Sequence, residues 1–280
     1  MQKRRVIPIA LTIAGSDSGG GAGIQADLKT FAAFGVHGTS AVTCITAQNP
    51  RGVRSLRPCS PVMVRQQIEA VFAELRPAAV KTGMLYSAAI VRAVARSYLK
   101  SRPVSARPSL VIDPVMVATS GARLLRPDAV SALCEELFPW ATLLTPNVPE
   151  AEILCGRRLQ TVDDLRAAAR DLNRRWGCAV LLKGGHLRNQ REAVDVFHGA
   201  AEDFLLRAPF IRGVATHGTG CTYSAAITAL LARGVPLAAA TRAAKAYLSS
   251  AIAGAVLAGR HTVLPCRRNW RGIATAATDD

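Results

Sequence analysis

The sequence predicts an α/β fold: a single doubly wound, mostly parallel sheet flanked by helices on both faces. Three observations lead there. Short, nearly continuous apolar runs alternate with helical patterns from end to end, and strands that are apolar on both sides belong to parallel sheets covered above and below. Half of the 280 residues are hydrophobic and only 5% are aromatic, which supplies aliphatic bulk for a sizeable core. Neither an internal repeat nor a low-complexity linker divides the chain. One domain over residues 1–280 is therefore expected, its core spanning about 6–260.

The strand expectations are VIPIALTIAG (6–15), TSAVTCIT (39–46), AAVKTG (78–83), SLVIDP (109–114), ATLLTP (141–146) and CAVLLKG (178–184). Helical patterns fill the gaps. Over 24–34, Ile24, Leu28, Phe31 and Ala32 share one stripe and Gly35 ends it. Similar patterns cover 61–75, 87–100, 126–137 and 161–176, the last opened by the cap Thr161-x-x-Asp164. AVDVFHGAAEDFLL (193–206) reads as a hairpin, and helices follow over 219–233 and 237–256, with Gly234 and Pro236 between them. Residues 102–109 read as a surface loop, and the chain from about 265 onward as loosely attached.

Several function classes recede on composition. The formal charge is +16, but the arginines are scattered and no basic cluster is interleaved with aromatics, as a base-stacking platform requires. A basic, solvated surface that attracts anionic ligands is expected, with no nucleic acid partner. The chain has no uncharged apolar run of about eighteen residues, so no membrane partner is expected. The basic start and the run after it mimic a secretory signal, yet VIPIALTIAG is only ten residues, contains Pro8 and lacks an A-x-A-like site. Seven cysteines with no C-x-x-C pair read as reduced thiols in a cytoplasmic protein.

Residues able to do chemistry gather where such sheets place ligands, beyond the carboxyl ends of the strands. GSDSGGGAG (15–23) holds five glycines in nine residues, a backbone bare enough for close approach. It lacks the lysine of a GxxxxGK[ST] loop and matches a dinucleotide fingerprint only imperfectly. Asp27 lies on the apolar stripe, either as a first-turn acid favoured by the helix dipole or as a buried carboxylate facing a pocket. Gln48 leaves the second strand. Met84 follows KTG, as core packing or as the lining of a flat apolar slot. Asp113 closes SLVIDP, and Asn147 and Glu150 follow ATLLTP; carboxylates so placed hold Mg²⁺ through water, or cap helices. Lys183-Gly-Gly-His186 sets a cation at the same rim, or forms a tight turn. THGTGCT (216–222) precedes a run of helix formers, and a helix start suits a phosphate. His186 and His217 are assigned to turn packing.

The blocks AGSDSGGGAGIQADLKTF, TAQNPRGV, KTGML, VIDPVMVATSG, LLTPNVPEAEIL, LLKGGH and THGTGCT, in this order and spacing, resemble the hydroxymethylpyrimidine/phosphomethylpyrimidine kinases of thiamine biosynthesis over roughly residues 8–255. The resemblance implies a ribokinase-like fold and Mg²⁺- and ATP-dependent phosphorylation of 4-amino-5-hydroxymethyl-2-methylpyrimidine to its monophosphate and then its diphosphate. It assigns Gly15, Asp27, Gln48 and Met84 to the pyrimidine, and Asp113 and Glu150 to Mg²⁺. It assigns Lys183, Thr216 and Asn147 to the nucleotide. Gly218, Thr219 and Gly220 fall on the anion hole, and Cys221 on the catalytic position. It also implies a cytoplasmic homodimer.

Many ribokinase-like enzymes carry GTGD, whose aspartate takes the proton of the attacking hydroxyl; here the position is Cys221. A free thiol has a pKa of about 8.5 that a helix start can lower, so a thiolate general base is expected in the first reaction. The second reaction starts from a phosphate oxygen and needs none. A pyridoxal/pyridoxine kinase remains the alternative enzyme, since its substrate also carries a hydroxymethyl on a flat heterocycle; Gln48 and Met84 lean towards the pyrimidine. A non-catalytic pyrimidine sensor or a basic nucleic-acid binder is the alternative of another class.

Overall fold

The apolar run after Pro8 forms strand β1 (Ile9–Asp17), and the glycine-rich turn leads into α1 (Gly23–Ala33). In a computed structural model, the residues described are 6–101, 103–116, 124–185, 187, 192–211, 214 and 217–265. Next come β2 (His37–Asn49), β3 (Gly52–Pro58), α2 (Pro61–Glu74), β4 (Ala79–Thr82), α3 (Ala88–Ser101) and β5 (Ser109–Ile112). The second half holds α4 (Pro127–Ala132), β6 (Leu143–Leu144), α5 (Val148–Cys155), α6 (Val162–Trp176), β7 (Ala179–Leu182), β8 (Glu192–His198), β9 (Asp203–Pro209), α7 (Thr219–Ala232) and α8 (Leu237–Ala253). A short hairpin, β10 (Val256–Ala258) and β11 (His261–Val263), follows.

The first nine strands form one sheet in the order β3-β2-β1-β4-β5-β6-β7-β8-β9. The six strands from β2 to β7 in that order are parallel, whereas β3, β8 and β9 join antiparallel. The period-2 alternation of strands sorts side chains to two cores. Val80, Leu110, Ile112, Leu144, Val180 and Leu182 pack with α2 to α6 on one face. Ala79, Val111, Leu143 and Leu181 pack with α1, α7 and α8 on the other.

Four sequence expectations shift. β3 was not foreseen: GVRSLRP is polar and half-buried at best, as an edge strand is. The helix expected over 126–137 is α only to Ala132, continues as a π-turn through Leu137 and closes as a 3₁₀ turn over Phe138–Trp140. Pro139 supplies no N–H and crowds the carbonyl four residues back, which widens the ladder. The strand expected over 141–146 shrinks to two paired residues. The last helix stops at Ala253, where Gly254 ends it and β10 begins. The loose attachment expected beyond about 265 lies outside the described residues.

The cap read at Thr161 is present: its side chain accepts from the Asp164 amide while Asp164 accepts from the Thr161 amide. Thr161→Ala should cost about 1 kcal/mol in urea denaturation and leave catalytic rates unchanged; no loss of stability would contradict the cap.

Candidate active site

The carboxyl ends of β1, β2, β4, β5, β6 and β7 open on one cavity of about 340 Å³, closed on its far side by the start of α7. Two glycine-bearing loops build its mouth. The β1–α1 loop folds around Asp17, whose Oδ1 accepts from the Gly19 amide at 2.8 Å. Its Oδ2 accepts from the Ala22 amide at 2.8 Å and the Gly21 amide at 3.1 Å. His217 Nε2 lies 3.1 Å from the same Oδ2 and 3.4 Å from the Gln48 side-chain nitrogen. His217, read from sequence as turn packing, thus ties the β1–α1 loop and the end of β2 to the approach of α7. Burial works to raise the Asp17 carboxyl. The hydrogen bonds from His217 and from the Gly19 and Ala22 amides outweigh it and hold the group below the usual carboxylate range.

Gly218 has φ +81°, and a Cβ there would collide with the Gly21 carbonyl. The two loops touch because no side chain intervenes. Behind this contact α7 begins at Thr219, and Thr219, Gly220 and Cys221 of its first turn line the cavity.

Alternation along the strands then sets the charges. Lys81 in β4, Asp113 just past β5 and Lys183 just past β7 share the parity of Ala79, Val111 and Leu181, so all three face α7. Lys183 Nζ sits 2.9 Å from Asp113 Oδ1, and the Ser224 hydroxyl reaches Asp113 Oδ2 at 3.2 Å. Gly220 leaves room for this pair: a Cβ there would stand 3.4 Å from Lys183 Nζ and 3.7 Å from Asp113 Oδ2. Burial lowers the Lys183 ammonium, and the Asp113 and Glu150 carboxylates more than restore it.

Asn147 and Glu150 form the capping box of α5. Glu150 Oε2 accepts from the Asn147 amide at 2.9 Å and Oε1 from the Met116 amide at 3.2 Å. The second bond braces the turn after Asp113, where Val115 takes φ +29°, a strained value for a β-branched residue. Burial raises the Glu150 carboxyl; Lys183 opposes this and Asp113 adds to it.

Cys221 lies in the cavity wall within the first turn of α7. Burial pushes its thiol up to about 11, against the pull of Lys81. The expectation that the helix start lowers this thiol therefore gives way to desolvation, which favours the neutral form.

Gly15, Gln48 and Met84 line the other wall. Gly15 falls at the register break of β1 against β2, and a Cβ on it would stand 3.0 Å from Met84 Cε, so the thioether lies across bare backbone. Asp27 is the exception among the sequence-predicted residues. Wholly buried in α1, it sits behind the wall, where Lys81 Nζ reaches both of its oxygens at 2.8 Å. Thr216 and His186 lie outside the described residues. A further lobe runs between β8–β9 and α8, past Phe210, Tyr223, Leu248 and Ile252. At its base Lys245 pairs with Asp195 at 2.7 Å, and Asp195 accepts from the Gly184 amide at 3.0 Å, fixing the residue next to Lys183. Lys81, Asp17 and the Asp195–Lys245 pair were not foreseen; Asp195 and Lys245 show in sequence only as charges among apolar neighbours, Lys81 as a charge near a strand end, and Asp17 as an acid in a Ser/Gly loop.

This rim can bind an oxyanion beside a flat, largely apolar ligand, the layout of a small-molecule kinase. The family model described as phosphomethylpyrimidine kinase matches residues 17–266. The hydroxymethylpyrimidine/phosphomethylpyrimidine kinase of Rhizobium meliloti is 50% identical over 270 residues, covering 94% of this chain and 98% of that protein. The crystal structure of phosphomethylpyrimidine kinase from Clostridium difficile superposes with a TM-score of 0.77 at 41% identity, over 88% of this chain and 99% of that one. The pyridoxal kinase of Staphylococcus aureus in complex with ADP gives a TM-score of 0.85 at 31% identity, over 95% and 96%. The chain belongs to the phosphomethylpyrimidine kinase family and has its ribokinase-like fold.

Gly218→Ala should lower kcat by about 100-fold or more, the scale of losing an anion-stabilising donor set, while circular dichroism stays native. Wild-type turnover by a folded variant would show that the contact with Gly21 does not build the site.

Proposed function

We propose that the chain transfers the γ-phosphoryl group of ATP to 4-amino-5-hydroxymethyl-2-methylpyrimidine, and then a second one to the resulting monophosphate, in thiamine diphosphate biosynthesis. The observation that carries this reading is the convergence of the Lys183–Asp113 pair and the start of α7 on a slot walled by Gly15, Gln48 and Met84. The pyrimidine lies against Met84 with Gln48 at its edge. Lys183 neutralises nucleotide phosphate, assisted by Thr216 and Asn147. The amides from Gly218 to Cys221 meet the charge that spreads over the transferring group. A homodimer is the assembly in which the chain works.

The donor set suits Mg²⁺. Among the described residues no three His, Cys, Asp or Glu side chains cluster around a metal point, and Mg²⁺ asks for only one or two carboxylates when phosphates and waters complete its shell. Asp113 and Glu150, two carboxylates on one rim with Lys183 between them, would hold it. Bound there, Mg²⁺ supplies charge neutralisation at the β- and γ-phosphates.

Cys221 takes the hydroxyl proton in the first transfer. Cys221→Ala should slow that step by about 100-fold or more and change the second by less than about threefold; equal losses would remove the base assignment. Because the thiol is pushed up, its thiolate fraction in the free enzyme grows with each pH unit from 7 to 9. Log kcat/KM for the alcohol should rise over that range and stay flat for the monophosphate. A flat profile for both would contradict a thiolate base.

The test of the reaction is ADP release from Mg²⁺ and ATP, run in parallel on the hydroxymethylpyrimidine, its monophosphate and pyridoxal. Turnover of both pyrimidines with little on pyridoxal is expected. Preference for pyridoxal, the ligand named for the Staphylococcus aureus neighbours, would move the chain to vitamin B6 salvage. Silence on all three by folded protein would leave a binding module.

A further inference from the structure

Lys81 is fully buried, yet its side chain forms part of the cavity wall. Among the described residues its ammonium bonds only Asp27, at 2.8 Å to each oxygen. Asp27 is itself fixed by the Thr12 hydroxyl at 2.6 Å. Thr12 and Lys81 are register partners across β1 and β4, so two central strands and α1 hold this pair rigidly. An ammonium has three N–H groups, and two are spent on Asp27. Gly83, like Lys81 a residue of the cavity wall, places no side chain beside the ammonium: a Cβ there would stand 3.4 Å from Lys81 Nζ. The charged and titratable groups around the ammonium are Asp27 of α1, Asp113 beyond β5 and Cys221 of α7. Stability does not explain the pair, because a buried ion pair adds little over apolar packing of the same volume.

We propose that Lys81 is a catalytic residue whose third N–H donates to the substrate oxygen that accepts the phosphoryl group, and that Asp27 is the positioning residue that aims it. This rests on the kinase reading above. In the first transfer the hydroxymethyl oxygen bonds to the γ-phosphorus as the bond to the β–γ bridging oxygen breaks. The hydroxyl proton passes to Cys221, ADP leaves, and Lys81 keeps its own protons. In the second transfer a monophosphate oxygen takes the same place before the same N–H, and no hydroxyl proton moves. Lys81 therefore serves both steps, whereas Cys221 serves one. Asp27, expected from sequence to hold the pyrimidine, acts on it through Lys81.

Lys81→Met alone strands the Asp27 carboxylate in the core, so the decisive variant is Lys81→Met with Asp27→Asn, which removes both charges. Its kcat on each pyrimidine should fall by about 100-fold or more, while ADP affinity by calorimetry stays within about twofold and the thermal midpoint stays near wild type. Asp27→Asn alone should lower kcat with little change in KM. A double variant within about threefold of wild type on both substrates overturns the proposal. So does a loss confined to the first substrate, which would make Lys81 an accessory of Cys221, and so does a loss matched by failing ADP affinity. Wild-type enzyme silent on both pyrimidines overturns the kinase reading and this proposal together; an active wild type with an unimpaired double variant overturns this proposal alone.

Discussion

The site depends on one close contact: the backbone at Gly218 resting on the backbone at Gly21. A helix start far along the chain can face the loop after the first strand at this range only if neither carries a side chain, and each of these positions is a glycine. The clasp of Asp17 by three loop amides and His217 keeps the contact in place. With the packing of α7 on the sheet, it fixes the first turn of α7 relative to the wall of Gly15, Gln48 and Met84, and phosphoryl transfer is largely a matter of fixed relations between charges.

Buried charge is the second constraint, and the sheet manages it in pairs. Lys183 rests on Asp113, Lys81 on Asp27 and Lys245 on Asp195, each lysine with its ammonium 2.7–2.9 Å from a carboxylate oxygen. All three stand on the α1/α7/α8 side, so the face that carries chemistry is also the face that carries ions. The opposite face, against α2 to α6, is a continuous apolar core. Desolvation explains the remaining features: it holds Cys221 as a thiol at rest, and it opposes the charge on Lys81 and Lys183, which their carboxylate neighbours restore.

Most of this was legible in the residues. The strand–helix alternation carried the sheet, and the glycine loop, Asp113, Lys183 and the start of α7 meet at one rim as their strand-end positions implied. β3 escaped because an edge strand needs no apolar face, and α5 because its eight residues span barely two turns. Lys81 escaped for a different reason. In AAVKTG it reads as a charge at a strand end, and only the fold shows that its carboxylate comes from α1, 54 residues earlier. His217 likewise looked like packing because its partner Asp17 lies 200 residues away. Local pattern reports which groups cannot be solvated; it does not report which distant group meets them.

In the proposed reaction one cavity performs both transfers, with the acceptor oxygen of either substrate held before the same anion hole. The most direct measurement is inhibition of first-step turnover by the monophosphate at saturating Mg²⁺ and ATP, read by formation of radiolabelled monophosphate from labelled alcohol. Competitive inhibition against the alcohol is expected, with an unchanged maximal rate at high alcohol concentration. Noncompetitive inhibition, with the monophosphate lowering the maximal rate, would mean a second acceptor site and would contradict it.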